Sequence, residues 1–239
     1  MGDLDVRAES GGIGLRVFMQ HLLRDLRAFE RMIELGMFES GVGRIGAEQE
    51  LFLVDSSMRP APRSLELLER IADSRFTTEI AAFNLEVNIE PLRFEGSCLS
   101  SLERQIGEAV EITRAAGGDI GVEPVLVGIL PTIRKSDLEL ENLTGVARYA
   151  ALNATLAALR GGAFEFRIKG LDDLIVKHDN VLIEGCNTSC QLHLQIDMDT
   201  FASSYNFAQA ITAPTLAAAT NSPILFGRRL WSETRIALF

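Results

Sequence analysis

The stretch that decides the fold is residues 45–55, which read I-G-A-E-Q-E-L-F-L-V-D. Its second half is a continuous apolar run, which indicates a largely buried strand. Glu48 and Glu50 come just before that run and are two residues apart, so both side chains point to one face of an extended chain. Neighbouring carboxylates repel each other, and burying them is costly unless protons or cations compensate. We therefore expect cations at the start of this strand.

A second stretch has the same character. Residues 77–80 read T-T-E-I and residues 83–91 read F-N-L-E-V-N-I-E-P, so Glu86, Asn88 and Glu90 recur at every second position of a β-branched run. Our hypothesis is that the two stretches pair, or lie close together in one sheet. Their carboxylates would then gather around hard metal ions, which prefer oxygen ligands.

The remaining periodicities predict an α+β fold with a mostly antiparallel sheet and helices packed on one side. Residues 15–38 carry apolar side chains at spacings of three and four, which is typical of a helix that faces a core. Ser64 is expected to cap a short helix at residues 64–72. The other predicted helices are residues 97–116, 142–160 and 200–219, and the predicted strands lie near residues 45–55, 79–91, 124–130, 163–169 and 188–197.

Composition limits the classes of function. The chain has 239 residues, 47% of them hydrophobic, with a formal net charge of -10. That charge argues against nucleic acid as a partner. The N-terminus lacks a basic and then apolar signal sequence, and no apolar run approaches the ~18 residues of a spanning helix, so we expect a cytoplasmic protein without a membrane partner. The three cysteines are expected to be reduced thiols.

Residues 41–46 read G-V-G-R-I-G and formally match the dinucleotide-binding pattern. That pattern requires a strand before the glycines and a helix after them. Here a predicted helix comes first and a predicted strand follows, so we interpret the segment as a loop. Any nucleotide phosphates would have to be held through metal ions and cationic side chains.

Several ordered motifs together resemble the glutamate–cysteine ligase family, in particular its bacterial and plant group of carboxylate-amine ligases. They are G-A-E-Q-E-L-F-L-V-D, T-E-I with a second glutamate seven residues on, Q-L-H-L-Q-I-D, N-S-P-I-L-F-G-R and T-R-I-A-L-F, spread from about Gly46 to Phe239. The resemblance implies a helix and glycine-rich loop at residues 1–40, followed by the N-terminal part of the catalytic domain at 41–239. It implies a curved, glutamine synthetase-like sheet, incomplete here because the family's domains are longer. An open sheet edge would favour a homo-oligomer.

The resemblance also implies a reaction. ATP would phosphorylate the γ-carboxylate of L-glutamate, and the amino group of L-cysteine, or of another amine, would attack the acyl phosphate. The product would be γ-glutamylcysteine, the precursor in glutathione biosynthesis. Two or three Mg²⁺ ions would neutralise the phosphate oxygens, since phosphoryl transfer depends mainly on positioning and charge neutralisation.

Site residues are carried over position by position. The implied metal ligands are Glu48, Glu50, Glu79 and Glu86. Glu90 shares a predicted face with Glu86 and is a further candidate outside the motif. His193, central in a half-polar strand, would contact nucleotide or metal-bound phosphate, and the resemblance makes it a candidate catalytic residue that stabilises charge developing on the transferred group. Its alternative is a solvated sheet face.

Arginines would bind the substrate carboxylates. The resemblance implies this role for Arg148 and for Arg235, which is also a candidate catalytic residue, and Arg228 lies nearby as a second cationic candidate. The guanidinium fork suits a carboxylate. Surface arginines without a function are the alternative for all three.

Two other functions stay open. One is a non-catalytic relative that binds nucleotide or amino acid and regulates or completes a partner. The other is a two-metal hydrolase, which usually also recruits histidine ligands. This interpretation is weaker because the chain has only His21, His178 and His193.

Overall fold

The computed structural model describes residues 12–238 and confirms an α+β protein with mixed helices and antiparallel strands. The helices are α1 (Gly12–Glu34), α2 (Ser64–Ile71), α3 (Cys98–Gly118), α4 (Ala147–Arg160) and α5 (Phe201–Ala218). The strands are β1 (Arg44–Val54), β2 (Phe76–Thr78), β3 (Asn84–Arg93), β4 (Glu123–Val125), β5 (Phe164–Lys169), β6 (Asp173–His178), β7 (Cys190–Leu194), β8 (Ile224–Leu225) and β9 (Arg228–Arg229).

The main sheet is built around β1. Strand β3 pairs with one edge of β1 and β2 pairs with β3, while β7 and β4 follow one another along the other edge of β1. All of these pairings are antiparallel. The two acidic stretches therefore do pair, as expected. The strand predicted at 79–91 begins only at Asn84, because residues 79–83 form the connection between β2 and β3, and β2 lies before the predicted start.

The two faces of β1 enter two different hydrophobic cores. Leu51 and Leu53 pack on one face in a core that includes residues of α2 and α3. Phe52 and Val54 point to the other face and join a second core. Since side chains alternate along a strand, a continuous apolar run is what a strand buried on both faces requires. The expected packing of helices on one side of the sheet holds for α2 and α3.

The strand predicted at 163–169 was expected in the main sheet, and this was wrong. It forms β5, which pairs with β6 in a separate two-stranded sheet. We had not predicted β6, whose Leu174 and Val176 pack into the second core. The turn that connects β5 to β6 includes Gly170. A Cβ atom at this position would come within 2.5 Å of the Leu230 Cα.

The expectation that the first helix faces a core was also wrong. Helix α1 exists, but its apolar stripe is 38% to 59% exposed at Phe18, Leu22, Leu26, Phe29 and Ile33. Periodicity reveals that a helix is amphipathic, but it does not identify what covers the apolar face. Helix α5 is likewise without a buried side chain.

Smaller details complete the comparison. Ser64 is the first residue of α2 rather than its N-cap, and its buried hydroxyl has no hydrogen-bond partner. The three cysteines are free thiols, as expected. Among residues 12–238, no helix has the length and apolar character that crossing a membrane requires.

Candidate metal centre

Three carboxylates meet on one face of the main sheet. The pairing of β1 with β3 places Glu50 directly opposite Glu86, and Thr77 of β2 lies opposite Glu86 on its other side. Glu79 follows directly after β2. One carboxylate oxygen from each of Glu50, Glu79 and Glu86 lies within 4.8 Å of the others. We call these three residues the carboxylate cluster.

Burial and mutual repulsion disfavour negative charge in this cluster. Burial raises the pKa of Glu50, and the nearby Glu86 raises it further, against hydrogen bonds from Ser189. Burial, and then the charges of Glu50 and Glu86, raise the pKa of Glu79 to about 8. The cluster therefore favours either a proton or a cation. Its donors are all oxygen atoms, which Mg²⁺ prefers. Mg²⁺ holds its ligand oxygens at ~2.0–2.1 Å, so oxygen atoms as close together as those of the cluster could share one ion.

Glu48 lies beside this cluster rather than within it. It is opposite Asn88 in the sheet, and its Oε1 is 3.7 Å from Nε2 of His193. His193 itself is half exposed on β7. Glu90 is exposed and does not belong to the cluster. The structure thus brings together three of the four expected metal ligands and places the fourth next to the expected nucleotide-binding histidine.

Two cavities meet at Glu48 and Asn88. The first, which we call the Arg148 cavity, has a volume of about 270 Å³ and is also lined by Glu79, Glu86 and Arg148. The second, the His193 cavity, has a volume of about 580 Å³. Its polar lining includes Glu48, Asn88, Glu90, His193, Arg44 and Arg75. Glu48 therefore lines both cavities, whereas Glu79 and Glu86 line only the Arg148 cavity, and each cavity also contains cationic side chains.

The arginines that line the two cavities differ in whether they already form an ion pair within the chain. Arg44 pairs with Glu39, and Arg75 pairs with Asp73. Arg148 makes no ion pair within the described part of the chain, although its Cζ lies 5.6 Å from the ring centroid of Tyr149. An unpaired guanidinium at the rim of an acidic cavity is suited to receive a carboxylate from solution.

Tyr149 fixes the position of Arg148. Its buried hydroxyl donates to the carbonyl oxygen of Thr78 at 2.8 Å. This bond joins the start of α4 to the end of β2, next to Glu79. The family resemblance pointed to an arginine–tyrosine pair at this place, but only Arg148 was assigned a role.

Arg235 and Arg228 lie outside both cavities. Arg235 forms a two-oxygen ion pair with Glu233, at 2.6 Å from Nε to Oε1 and from Nη2 to Oε2. Its Nη1 donates to the carbonyl oxygen of Thr188 at 2.8 Å. Arg228 is exposed on β9. The substrate role expected for Arg235 therefore stays a prediction.

Two contacts to the cluster were not predicted. The backbone N–H of Ser189 donates to Oε2 of Glu50 at 2.8 Å. The side-chain amide of Asn88 donates to Oε1 of Glu86 at 2.9 Å. The alternating pattern around Glu86 pointed to Asn88, whereas a backbone donor such as Ser189 leaves no signal in the residue type.

Most of the chain matches a family of known proteins. Residues 44–239 match the family described as glutamate-cysteine ligase family 2 (GCS2). A protein of Frankia alni named "putative glutamate–cysteine ligase 2-3" is 29% identical over 109 residues. The aligned region is 44% of this chain and 12% of that protein, so the chain spans a small part of this relative's length. The family match begins at the first residue of β1 and includes the whole carboxylate cluster.

Proposed function

Because the chain belongs to glutamate–cysteine ligase family 2, we propose that it serves an ATP- and Mg²⁺-dependent ligase reaction. The reaction would join the γ-carboxylate of L-glutamate to the amino group of L-cysteine or another amine through an acyl phosphate. The observation that carries the proposal is the carboxylate cluster, of which Glu79 and Glu86 line the Arg148 cavity. Its acidic side chains would be unfavourable there without a cation.

Glu50, Glu79 and Glu86 would hold one Mg²⁺, and Glu48 is placed to contribute to a second ion. When bound, Mg²⁺ supplies positive charge for the phosphate oxygens. The chain's own contribution is to fix the carboxylates. The β1–β3 pairing aligns Glu50 with Glu86, and Asn88 and Ser189 orient them through hydrogen bonds.

The two cavities divide the substrates between them in this proposal. Arg148 would bind a carboxylate of L-glutamate in the Arg148 cavity. His193 would face the ATP phosphates in the larger His193 cavity, where its half-exposed ring is accessible. Since both cavities share Glu48 and Asn88, the acceptor carboxylate and the phosphates would meet at the metal ions.

The finer parts of the family resemblance belong to the same proposal. We include in it a glutamine synthetase-like sheet, of which the five-stranded main sheet would be a part, and a boundary near residue 40 between the N-terminal helix and the catalytic region. A cytoplasmic location and assembly into homo-oligomers are also included.

A non-catalytic binding module is the second candidate. The observation in its favour is that every residue of β7, which carries His193, is exposed. In this alternative another chain would cover β7 and complete the site.

ADP formation separates the two candidates. The assay contains ATP, Mg²⁺ and L-glutamate, with and without L-cysteine or other amines, and calorimetry measures ATP binding in parallel. We expect ADP release that depends on the amine and is lost in Glu79→Gln but kept in Glu103→Gln, which changes an exposed glutamate of α3 outside the cluster and outside both cavities. ATP binding without ADP formation under any amine would favour the binding module.

A further inference from the structure

The ion pair between Glu233 and Arg235 is built into the protein interior. Glu233 is 5% exposed, and it also accepts a short hydrogen bond from the Ser222 hydroxyl. Burial alone would raise the pKa of Glu233, but the hydrogen bonds from Arg235 and Ser222 outweigh burial and lower the pKa. The carboxylate is therefore charged, and it holds the guanidinium in one orientation.

That orientation directs Arg235 at one peptide group. Its Nη1 donates to the carbonyl oxygen of Thr188 at 2.8 Å. The N–H of the same peptide group belongs to Ser189 and donates to Oε2 of Glu50 at 2.8 Å. Since a peptide group is planar and usually trans, its C=O and N–H point in opposite directions. The guanidinium and the Glu50 carboxylate thus lie at the two ends of a single peptide dipole.

Contacts on either side hold this peptide in place. The Thr188 N–H donates to the Gly128 carbonyl at 3.0 Å, and the Ser189 carbonyl accepts from the Glu50 N–H at 2.9 Å. Gly128 also makes room for the arginine, because a Cβ atom there would lie 2.8 Å from Cζ and Nε of Arg235. Hydrogen bonds in series polarise one another, so a cation at the carbonyl makes the N–H a stronger donor.

We propose that Arg235, held by Glu233, is a positioning residue that acts on Glu50 through the Thr188–Ser189 peptide group. Glu233 thereby becomes part of the site, although neither the sequence motifs nor the cavities include it. The inference rests on the proposed function in so far as Glu50 is a metal ligand. Residues that orient metal ligands typically change metal affinity by about 10–100-fold when they are replaced.

The test measures Mn²⁺ binding to the full chain by electron paramagnetic resonance, with Mn²⁺ as a visible substitute for Mg²⁺. Arg235→Met removes the donors, and Arg235→Lys keeps the charge but cannot satisfy Glu233 and Thr188 together. Glu233→Gln keeps the side-chain shape and releases the arginine. Arg229→Met is the matched control, because Arg229 also forms an ion pair, with Asp172, in the same region.

We expect the Mn²⁺ dissociation constant to rise about tenfold or more in Arg235→Met and less in Arg235→Lys and Glu233→Gln, with no change in Arg229→Met. The direction of the change in the Mn²⁺ dissociation constant distinguishes lost positioning from the loss of a charge. Removing a cation near an acidic site would by itself tighten metal binding, so weaker binding indicates lost positioning. Unchanged or tighter binding in the Arg235 variants overturns the proposal.

Amide hydrogen exchange of Ser189 in the metal-free chain gives an independent result. We expect this amide to exchange about tenfold faster in Arg235→Met, while amides of the β1–β3 pairing keep their rates. Unchanged exchange at Ser189 overturns the proposal. Should the wild-type chain bind no Mn²⁺, the proposed metal site fails, and the exchange rates still decide whether Arg235 acts on Ser189. If Arg235→Met does not fold, Arg235→Lys and Glu233→Gln give both measurements.

Discussion

Glu50 and Glu86 face each other directly across the antiparallel pairing of β1 and β3. Side chains in such pairs have Cβ atoms about 4.5–5.5 Å apart, and like charges in these positions destabilise a sheet. Glu79 adds a third carboxylate to the same space. The metal-free protein therefore contains a local conflict that a bound cation would relieve.

Neutralising one member of the cluster should stabilise the metal-free chain. We expect Glu79→Gln to raise its free energy of unfolding by about 1 kcal/mol at neutral pH, because the amide is neutral without the proton that Glu79, with its raised pKa, must take up on folding. The same variant should lose the stabilisation that Mg²⁺ gives the wild type. Urea unfolding with and without Mg²⁺ measures both effects. Glu103→Gln, on α3, is the control, and an equal response in that variant would show that the effect is not specific to the cluster.

The pKa of Glu79 predicts how stability depends on pH. Its pKa is about 8 in the folded chain and lies near 4.5 without the fold, so between these values the folded state binds more protons than the unfolded state. Stability of the metal-free chain should therefore fall as the pH rises through this window, by at most about 1.4 kcal/mol per pH unit. Urea unfolding at pH 5, 6.5 and 8 tests this. Glu79→Gln should flatten the profile, and an identical slope in both chains would contradict the assignment.

Arg148 should affect binding of glutamate without affecting the fold. Its guanidinium lies at the rim of the Arg148 cavity, and its loss breaks no ion pair among the described residues. We expect Arg148→Gln to weaken L-glutamate binding about tenfold or more, since a charge-assisted hydrogen bond contributes about 1.5–3 kcal/mol. Calorimetry in the presence of Mg²⁺ and ATP measures the affinity. Arg104→Gln, on helix α3 across the sheet, should bind as the wild type does.

A methyl group at Gly128 should act on the carboxylate site from a distance. Gly128→Ala would bring a carbon to 2.3 Å from Oδ1 of Asn221 and to 2.8 Å from Cζ and Nε of Arg235, so both side chains would have to move. We expect weaker Mn²⁺ binding in the same direction as in Arg235→Met. Gly107→Ala serves as control, because a Cβ atom there meets nothing within 4 Å. Wild-type Mn²⁺ affinity in Gly128→Ala would argue against the contact.

Removal of the N-terminal segment should leave the rest of the fold intact. None of the described side chains of α1 is buried, so its loss exposes little apolar surface of the sheet. We expect a chain that starts at residue 41 to keep the urea midpoint of the full chain. Circular dichroism would follow the transition, and a clear drop in midpoint would show that α1 packs on the rest of the chain and would refute the proposed boundary near residue 40.

The sequence predicted local structure better than it predicted tertiary partners. Alternation and acidic spacing located β1 and β3 and led us to expect that they pair. An apolar run interrupted by carboxylates at every second position fits few structures other than a buried strand. Hairpin β5–β6 was assigned to the wrong sheet, since the alternation in residues 163–169 identifies a strand but not its neighbour. Helix α1 shows the same limit, because an amphipathic pattern does not identify the surface that packs against its apolar face.

Some residues of the candidate site could be predicted from the sequence and others could not. Residue types with an unusual cost, such as Glu50 and Glu86 within an apolar strand, could be identified from the sequence. Ser189 could not, because its contribution is a backbone N–H that any residue other than proline provides. Glu233 was missed because a buried ion pair between residues two apart in the sequence looks like two ordinary surface charges.

Strand β1 contributes Leu51 and Leu53 to one core and Phe52 and Val54 to the other. Separating either core from the sheet would disturb the same backbone. We therefore infer that the two layers lose their structure in a single cooperative step rather than one after the other. Since Glu50 lies on that strand, we expect its position opposite Glu86 to persist until the whole sheet unfolds.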